Sequence, residues 1–185
     1  RSRPSLSILD EVKVLVDAGY KEVTVLGQNV NSYRSDEGGA QVDFAELLYK
    51  ISLLSPELRI RYSTSHPKDC SDELLHVHRE RPTVCDFIHL PVQHGSDRIL
   101  MAMKRGYTAM EYRSIIRRLR QAAPHVTVSS DFIVGFPGET ERDFEATLKL
   151  APLPTRRASL RASYADVASA GAAVARIMAQ PAAPS

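Results

Sequence analysis

The feature that most constrains the fold of this 185-residue chain is a regular alternation of helical and strand-like stretches, each strand closed by a polar or glycine-containing loop. Ile8, Val12, Leu15 and Val16 recur at helical spacing, with Ser5 and Ser7 as candidate N-caps and Gly19 as the stop. Lys21 to Leu26 alternates and is rich in Val and Thr, which predicts a strand. Asp43 and Glu46 have capping-box spacing at the head of the stripe Phe44, Leu47, Leu48 and Ile51. Leu58 to Ser63 predicts a second strand, Arg-rich on one alternate set, and Ser71 to Arg81 a short helix with Leu74 and Leu75 inward. Phe87 to Leu90 predicts a third strand, broken by Pro91, and Ser96 to Met103 a helix. Thr108 with Glu111 makes a second capping box, ahead of the stripe Tyr112, Ile115, Ile116 and Leu119. Val126 to Val134 predicts the fourth strand, ended by the turn residues Gly135, Pro137 and Gly138. Thr140 and Asp143 then open a helix whose apolar face begins with Phe144 and Leu148. Strands joined by helical crossovers of this length predict a parallel sheet or barrel.

Four strand ends carry polar or glycine loops: Gly27-Gln28-Asn29, Ser65-His66-Pro67, Gln93-His94-Gly95-Ser96 and Gly135-Phe136-Pro137-Gly138-Glu139. Ligands of α/β proteins bind at that edge, where loop backbone and helix N-termini converge. Each loop alone reads equally as an ordinary turn; their recurrence on one edge is what points to a site. Asp131, inside the fourth strand, is either a site group or a satisfied buried aspartate. His66 precedes proline, where a turn role is commoner than a ligand role. Arg113, Arg117, Arg118 and Arg120 read as a solvated helix face ahead of an RNA-phosphate contact.

Composition narrows the class. Hydrophobic content of 43% and charged content of 25% suit a soluble globular chain, and a net charge of +2 gives no strong footprint for nucleic acid. No apolar run is long enough to span a bilayer and no secretory leader is visible, so no membrane role is expected. Cys70 and Cys85 are too widely spaced for a zinc site or a disulfide framework and predict inert thiols of a reducing compartment. Ser35 to Gln41 reads as a flexible polar loop. Residues 151–185 hold 12 Ala and four Pro with no Lys or Glu, which predicts a divergent tail, weakly helical or disordered, after a core domain at 1–150. Arg1 opens the chain without an initiator Met, as an internal piece of a longer protein would.

Six ordered motifs carry a family resemblance: Ser2-Arg3-Pro4, Gly27-Gln28-Asn29-Val30-Asn31, Ser65-His66-Pro67, His89-Leu90-Pro91-Val92-Gln93, Met103-Lys104-Arg105-Gly106-Tyr107, and Ser130 through Thr140. Over Arg1 to about Leu150 the chain resembles the radical S-adenosylmethionine (SAM) methylthiotransferases, of the tRNA type that converts isopentenyladenosine to its 2-methylthio form. The resemblance implies an α/β fold: a partial (β/α) radical-SAM barrel, strands two to five of six. It implies SAM and 4Fe-4S clusters as cofactors, tRNA containing isopentenyladenosine as substrate, and sulfur and electron donors as partners. It also implies a cytoplasmic protein, with a mitochondrial one as the alternative.

By the same resemblance Gln28, Asn29 and Ser65 line the site, Gln93 and Ser96 lie near the SAM ribose or methionine moiety, and Arg105 meets the SAM carboxylate. Asp131 is a polar contact inside the barrel, and Gly135, Pro137 and Gly138 let backbone approach the adenine. The chain departs from the family pattern in lacking the Cys-x3-Cys-x2-Cys loop, which Cys70 and Cys85 do not replace, so no residue here is assigned a catalytic or metal-ligating role. His94 stands where the family usually has Ser. Two readings follow: a fragment of a tRNA methylthiotransferase, or a catalytically inactive truncated barrel that at most binds SAM weakly or acts through partners. A barrel without its first and last strands exposes two sheet edges, which predicts marginal stability.

Overall fold

The computed structural model describes residues 2–151 and the backbone of 155–162. The chain divides into two units, Arg1–Ile88 with Leu119–Val126, and His89–Arg118 with the chain from Thr127 onward.

The first unit holds α1 (Ser5–Asp17), β1 (Glu22–Val25), β2 (Arg34–Glu37), β3 (Ala40–Asp43), α2 (Phe44–Ser52), β4 (Arg59–Tyr62) and α3 (Asp72–Glu80). β1 and β4 are parallel, with Val23 opposite Ile60, and Ile60 also makes a parallel bridge to Val84. Val23 and Ile60 face a core completed by Leu47, Leu48, Ile51, Leu74 and Leu75, all buried. On the alternate face Glu22 sits between Arg59 and Arg61, at 3.4 and 3.0 Å, which accounts for the arginine alternation.

Two local expectations change. The N-cap of α1 is Pro4, not Ser5 or Ser7, because the Pro4 carbonyl accepts the first helical bond, from the Ile8 amide at 3.3 Å. Ser35 to Gln41 is not a flexible loop: β2 and β3 pair as an antiparallel hairpin from Arg34–Asp43 to Glu37–Ala40. Gly38 and Gly39, at φ +65° and +98°, supply the two positive-φ positions that a tight hairpin turn demands. Asp43 caps α2 as expected, accepting the Glu46 amide at 2.9 Å.

The second unit contains the end of β5 (Phe87–His89), α4 (Asp97–Ala102), α5 (Ala109–Ala122), β6 (Thr127–Val134), α6 (Glu141–Leu150) and β7 (Thr155–Ala162), β5 beginning and α5 ending in residues assigned to the first. Its sheet order is β5-β6-β7. Val128, Ser130, Phe132 and Val134 point to the buried face of β6, and Tyr112 of α5 ties its hydroxyl to the Leu90 carbonyl at 2.9 Å. Both capping boxes are present, Thr108 with Glu111 and Thr140 with Asp143.

The tail departs from expectation. Within 151–185, residues 155–162 form a strand parallel to β6, with Asp131 opposite Ser159. Ala-rich composition of the surrounding tail hid it, while Arg157 to Ala162 still alternates in the strand period. β7 therefore pairs the edge of β6 that was expected to lie open. The rest of the expected tail lies outside the described residues. Among the described residues no helix is long and apolar enough to cross a membrane.

Candidate functional site

Each unit gathers its own loops at the C-terminal ends of its strands. In the first unit, the Gly27 amide donates to Ser63 Oγ at 3.2 Å, and that hydroxyl donates back to the Gly27 carbonyl at 3.0 Å. The Val30 amide donates to the Thr64 carbonyl at 3.1 Å. Buried Asn31 then clamps the other loop: its Nδ2 donates to the His66 carbonyl at 2.8 Å and its Oδ1 accepts the His66 amide at 2.7 Å. His66 accepts the Lys68 amide on Nδ1 at 3.3 Å and caps the turn Pro67–Asp69, so it is a turn residue, as its place before proline indicated.

These bonds fix the loops from below and leave Gln28 and Asn29 on the wall of a cavity of about 390 Å³, shared with Ser2, Arg3 and Tyr33. Ser65 is only 2% exposed, and its hydroxyl oxygen has no hydrogen-bond partner. A buried unpaired hydroxyl costs about 1–3 kcal/mol, and Ser65 is not among the residues that line this cavity.

In the second unit, β5 leads into Gln93, which carries φ +73°, a conformation rare for a side chain of its size. Its backbone is held at both ends: the amide donates to the Asp131 carbonyl at 3.0 Å, and the carbonyl accepts the Ile133 amide at 2.7 Å. Asp131 itself is buried, with its carboxylate 3.5 Å from His89 Nε2, while His89 Nδ1 is 2.7 Å from Ser129 Oγ. The polar face of β6 is thus a Ser129–His89–Asp131 cluster.

Arg105 lies between Lys104, at φ +57°, and Gly106, at φ +71°. Its Nε is buried without a hydrogen-bond partner. The guanidinium is near the Tyr107 phenol: burial pushes that phenol up to about 12, and the Arg105 charge pulls against the rise. Tyr107 in turn donates to the Val92 carbonyl at 2.9 Å, one residue before Gln93. Arg105 is therefore anchored next to the Gln93 loop with a donor left over.

Ser96 is less available than expected. Its hydroxyl donates to Asp143 Oδ1 at 2.6 Å. Asp143 also accepts from the Thr140 amide at 3.0 Å and from Thr140 Oγ1 at 2.6 Å, and it pairs with Arg98. Arg98, with the Ser96 and Thr140 hydroxyls behind it, holds the Asp143 carboxyl well below the usual carboxylate range. Arg98 Nη2 further donates to the Gly138 carbonyl at 2.7 Å. The Gly135–Gly138 segment thus has a charged support along one side.

That segment is a turn closed by the Glu139 amide donating to the Phe136 carbonyl at 2.8 Å. Pro137 in its second position and Gly138, at φ +80°, in its third are the type II pattern. Glu139 folds back over it: one carboxylate oxygen accepts the Phe136 amide at 2.9 Å, and the other is 3.2 Å from His94 Nε2. His94 is fully buried. Thr147, His94 and Glu139 have the composition of a nucleophile relay. But Thr147 is also fully buried, its hydroxyl accepts the Gly95 amide at 2.9 Å, and no solvent path reaches it, so the network packs α6 against the loop.

Among the described residues no group of three or more His, Cys, Asp or Glu could hold a metal ion. Cys70 and Cys85 are both buried, and Cys85 Sγ accepts from Arg59 Nε at 3.0 Å. Two thiols do not make the three-cysteine ligand set of a 4Fe-4S cluster, so this chain's residues do not fit that group. The second unit does carry an unpaired guanidinium nitrogen, a strained Gln93 and a glycine turn at its strand ends.

The structure brings Gln93 and Asp131 into one hydrogen-bonded pair and Ser96 and the Gly135–Gly138 turn into a second network, through Asp143 and Arg98, and places Gln28 and Asn29 on one cavity. His89, His94, Tyr107 and Glu139 escaped sequence reasoning as parts of these networks. Alternation along β5 was the available signal for His89; His94 and Glu139 are joined only by tertiary contact.

Comparison with known proteins converges on one family. Residues 1–151 match the model of the radical SAM superfamily. The chain is 57% identical over 150 residues to the tRNA-2-methylthio-N(6)-dimethylallyladenosine synthase of Ectopseudomonas mendocina, covering 80% of this chain and 34% of that protein. It is 56% identical over 151 residues to the enzyme of the same name from Bordetella pertussis, covering 80% of this chain and 34% of that one. The chain thus spans about a third of the length of these relatives. Among solved structures it resembles the coproporphyrinogen III oxidase HemN of Escherichia coli, a radical SAM enzyme, with a TM-score of 0.61 at 16% identity over 98% of this chain and 42% of that one. The cobalamin-dependent SAM radical enzyme OxsB gives a TM-score of 0.61 at 12% identity, over 95% of this chain and 26% of that one. Both likenesses are to the fold, an α/β partial radical-SAM barrel.

Proposed function

This chain belongs to the radical SAM superfamily, and from that premise we propose that it is the central part of a tRNA methylthiotransferase barrel and carries the protein's hold on SAM. The relatives' names support the reaction: methylthiolation of isopentenyladenosine in tRNA by the complete protein. Sulfur and electron donors, as its further partners, are part of the same proposal. SAM, when bound, supplies the radical chemistry for which the superfamily is named; the cluster that it requires has no ligand set in this chain, and no step is assigned to these residues through it.

What the residues here do is bind and orient. Arg105 offers a carboxylate a desolvated cationic donor, worth more than one in water. Gly135–Gly138 presents backbone that a planar base can approach closely. Gln93 is held in a strained backbone conformation by Asp131 and Ile133. Asp131 keeps that wall polar through His89. The observation that carries the reading is the orphaned Nε of Arg105 beside the Gln93 loop.

Calorimetric titration of the 185-residue chain with SAM and with 5′-methylthioadenosine, which lacks the amino-acid end, tests it. Arg105→Leu is expected to weaken SAM by on the order of ten- to a hundredfold while leaving methylthioadenosine unchanged. Equal losses for both ligands, or none for either, would sink the assignment of Arg105 to the carboxylate.

A further inference from the structure

We propose that His94 is a positioning residue for the cofactor-binding turn, acting through Glu139. The inference rests on the SAM reading above for its ligand, but its geometry stands alone.

The protonation pattern of His94 is set by its neighbours. The Ser96 amide donates to His94 Nδ1 at 3.0 Å, so Nδ1 is an acceptor and carries no proton. The ring proton is therefore on Nε2, which lies 3.2 Å from Glu139 Oε1 and 3.3 Å from Thr147 Oγ1. The other oxygen of that carboxylate accepts the Phe136 amide at 2.9 Å. A line of polar contacts thus runs from the head of α4 through the imidazole and the carboxylate to the Phe136 amide of the Gly135–Gly138 turn.

The ring cannot drift from this line. It is fully buried, and Gly95 behind it packs so closely on α6 that a Cβ there would lie 2.4 Å from the Ala146 carbonyl oxygen. The charged groups that face the line come from α4 and α6: Arg98 and Asp143, which are paired with each other. His94 consequently holds the Glu139 carboxylate in one orientation, and Glu139 holds the turn. A turn preorganised in this way loses less freedom when a base is laid against it.

Hydrogen exchange of the Phe136 amide in the full 185-residue chain, without ligand, reads the positioning directly. His94→Leu keeps the bulk and removes the donor, and is expected to speed that exchange by on the order of tenfold. Glu139→Leu, which removes the acceptor itself, should do the same. His94→Gln, whose amide can donate to the same carboxylate oxygen, should restore protection even though its melting temperature matches that of the Leu variant. SAM affinity should follow the exchange, weaker in His94→Leu than in His94→Gln. Unchanged Phe136 exchange in His94→Leu, or equally fast exchange in His94→Gln, overturns the proposal, and so does exchange that changes while SAM affinity does not. If the unaltered chain binds no SAM, the functional reading above fails, while the exchange comparison still decides whether His94 positions the turn.

Discussion

The two units organise their loops by different physics. In the first, the key contacts are neutral: Asn31 clamps the His66 backbone with both ends of its amide, and Ser63 exchanges bonds with Gly27. In the second, they are ionic: Asp143 gathers Arg98, Ser96 and Thr140, and Glu139 joins His94 to the glycine turn. Neutral amide clamps fix backbone shape at little electrostatic cost. Charged hubs fix shape more strongly, because bonds to ionised groups are roughly twice as strong, but they tie the loop to the ionisation state of its partners. The unit proposed to hold SAM is the one built on charge.

The largest expected break in this comparison is Gly95→Ala. An added Cβ would lie 2.4 Å from both the Ala146 carbonyl oxygen and Thr147 Cα, which are backbone atoms with no flexible side chain to move aside. α6 would have to shift, and with it Asp143 and Thr147. Destabilisation of about 3 kcal/mol or more is expected, read by denaturant midpoint, with loss of SAM binding in parallel. A cost under about 1 kcal/mol would mean that α6 is not held as tightly as its hydrogen bonds indicate.

How much of this was open to reading from the linear chain divides along the same boundary. Periodicity revealed the helices and strands, because Leu47, Leu48, Ile51, Tyr112, Ile115 and Ile116 repeat at the spacing that burial imposes. Capping boxes at Thr108 and Thr140 were legible for the same local reason. The hairpin at Arg34–Asp43 was not recognised, since its short polar strands match a loop in composition, although Gly38-Gly39 was a turn signal in plain view. β7 was obscured by alanine. At the site, Gln93 and Gly135–Gly138 announced themselves by residue type. The His94–Glu139 and Ser96–Asp143 bonds did not, because nothing in a single sequence records which distant residues meet.

A smaller and more selective effect is expected from acid. His78 is buried against Tyr62, 2.6 Å from its hydroxyl, and burial, helped by His125, holds its imidazole down at about 4 against an ordinary 6.5. Below 6.5 the unfolded chain takes up a proton that the folded first unit refuses, so stability present above that pH is lost as the pH falls toward about 4. The loss is expected to be about 3 kcal/mol and to vanish in His78→Leu, measured against that variant's own value at neutral pH. Asp143 behaves differently: its carboxyl is held below its ordinary 3.8, so the second unit keeps that contribution until the pH falls below 3.8. Hydrogen exchange at pH 7, 5 and 4 should show protection fading in α3 and β4 before α6. Simultaneous loss in both units would contradict this split.

The smallest effect sharpens the contrast most. Gly39 and Gly95 are both glycines at tight places, yet for opposite reasons. Gly39 has φ +98°, and an added Cβ would meet nothing within 4 Å. Its amide donates to Asp36 Oδ1 at 2.8 Å, an exposed contact that Ala would keep. Only backbone strain is therefore at stake, and Gly39→Ala is expected to cost about 1 kcal/mol without touching SAM affinity. Chirality separates strain from crowding. D-alanine, introduced by chemical ligation, favours positive φ and should match or exceed the stability of glycine at position 39. At Gly95, where the obstruction is space, either enantiomer should be harmful. If L-alanine at 39 proves as costly as at 95, the hairpin is packed in a way that its open surroundings do not account for, and the contrast between strain in one unit and close approach in the other is lost.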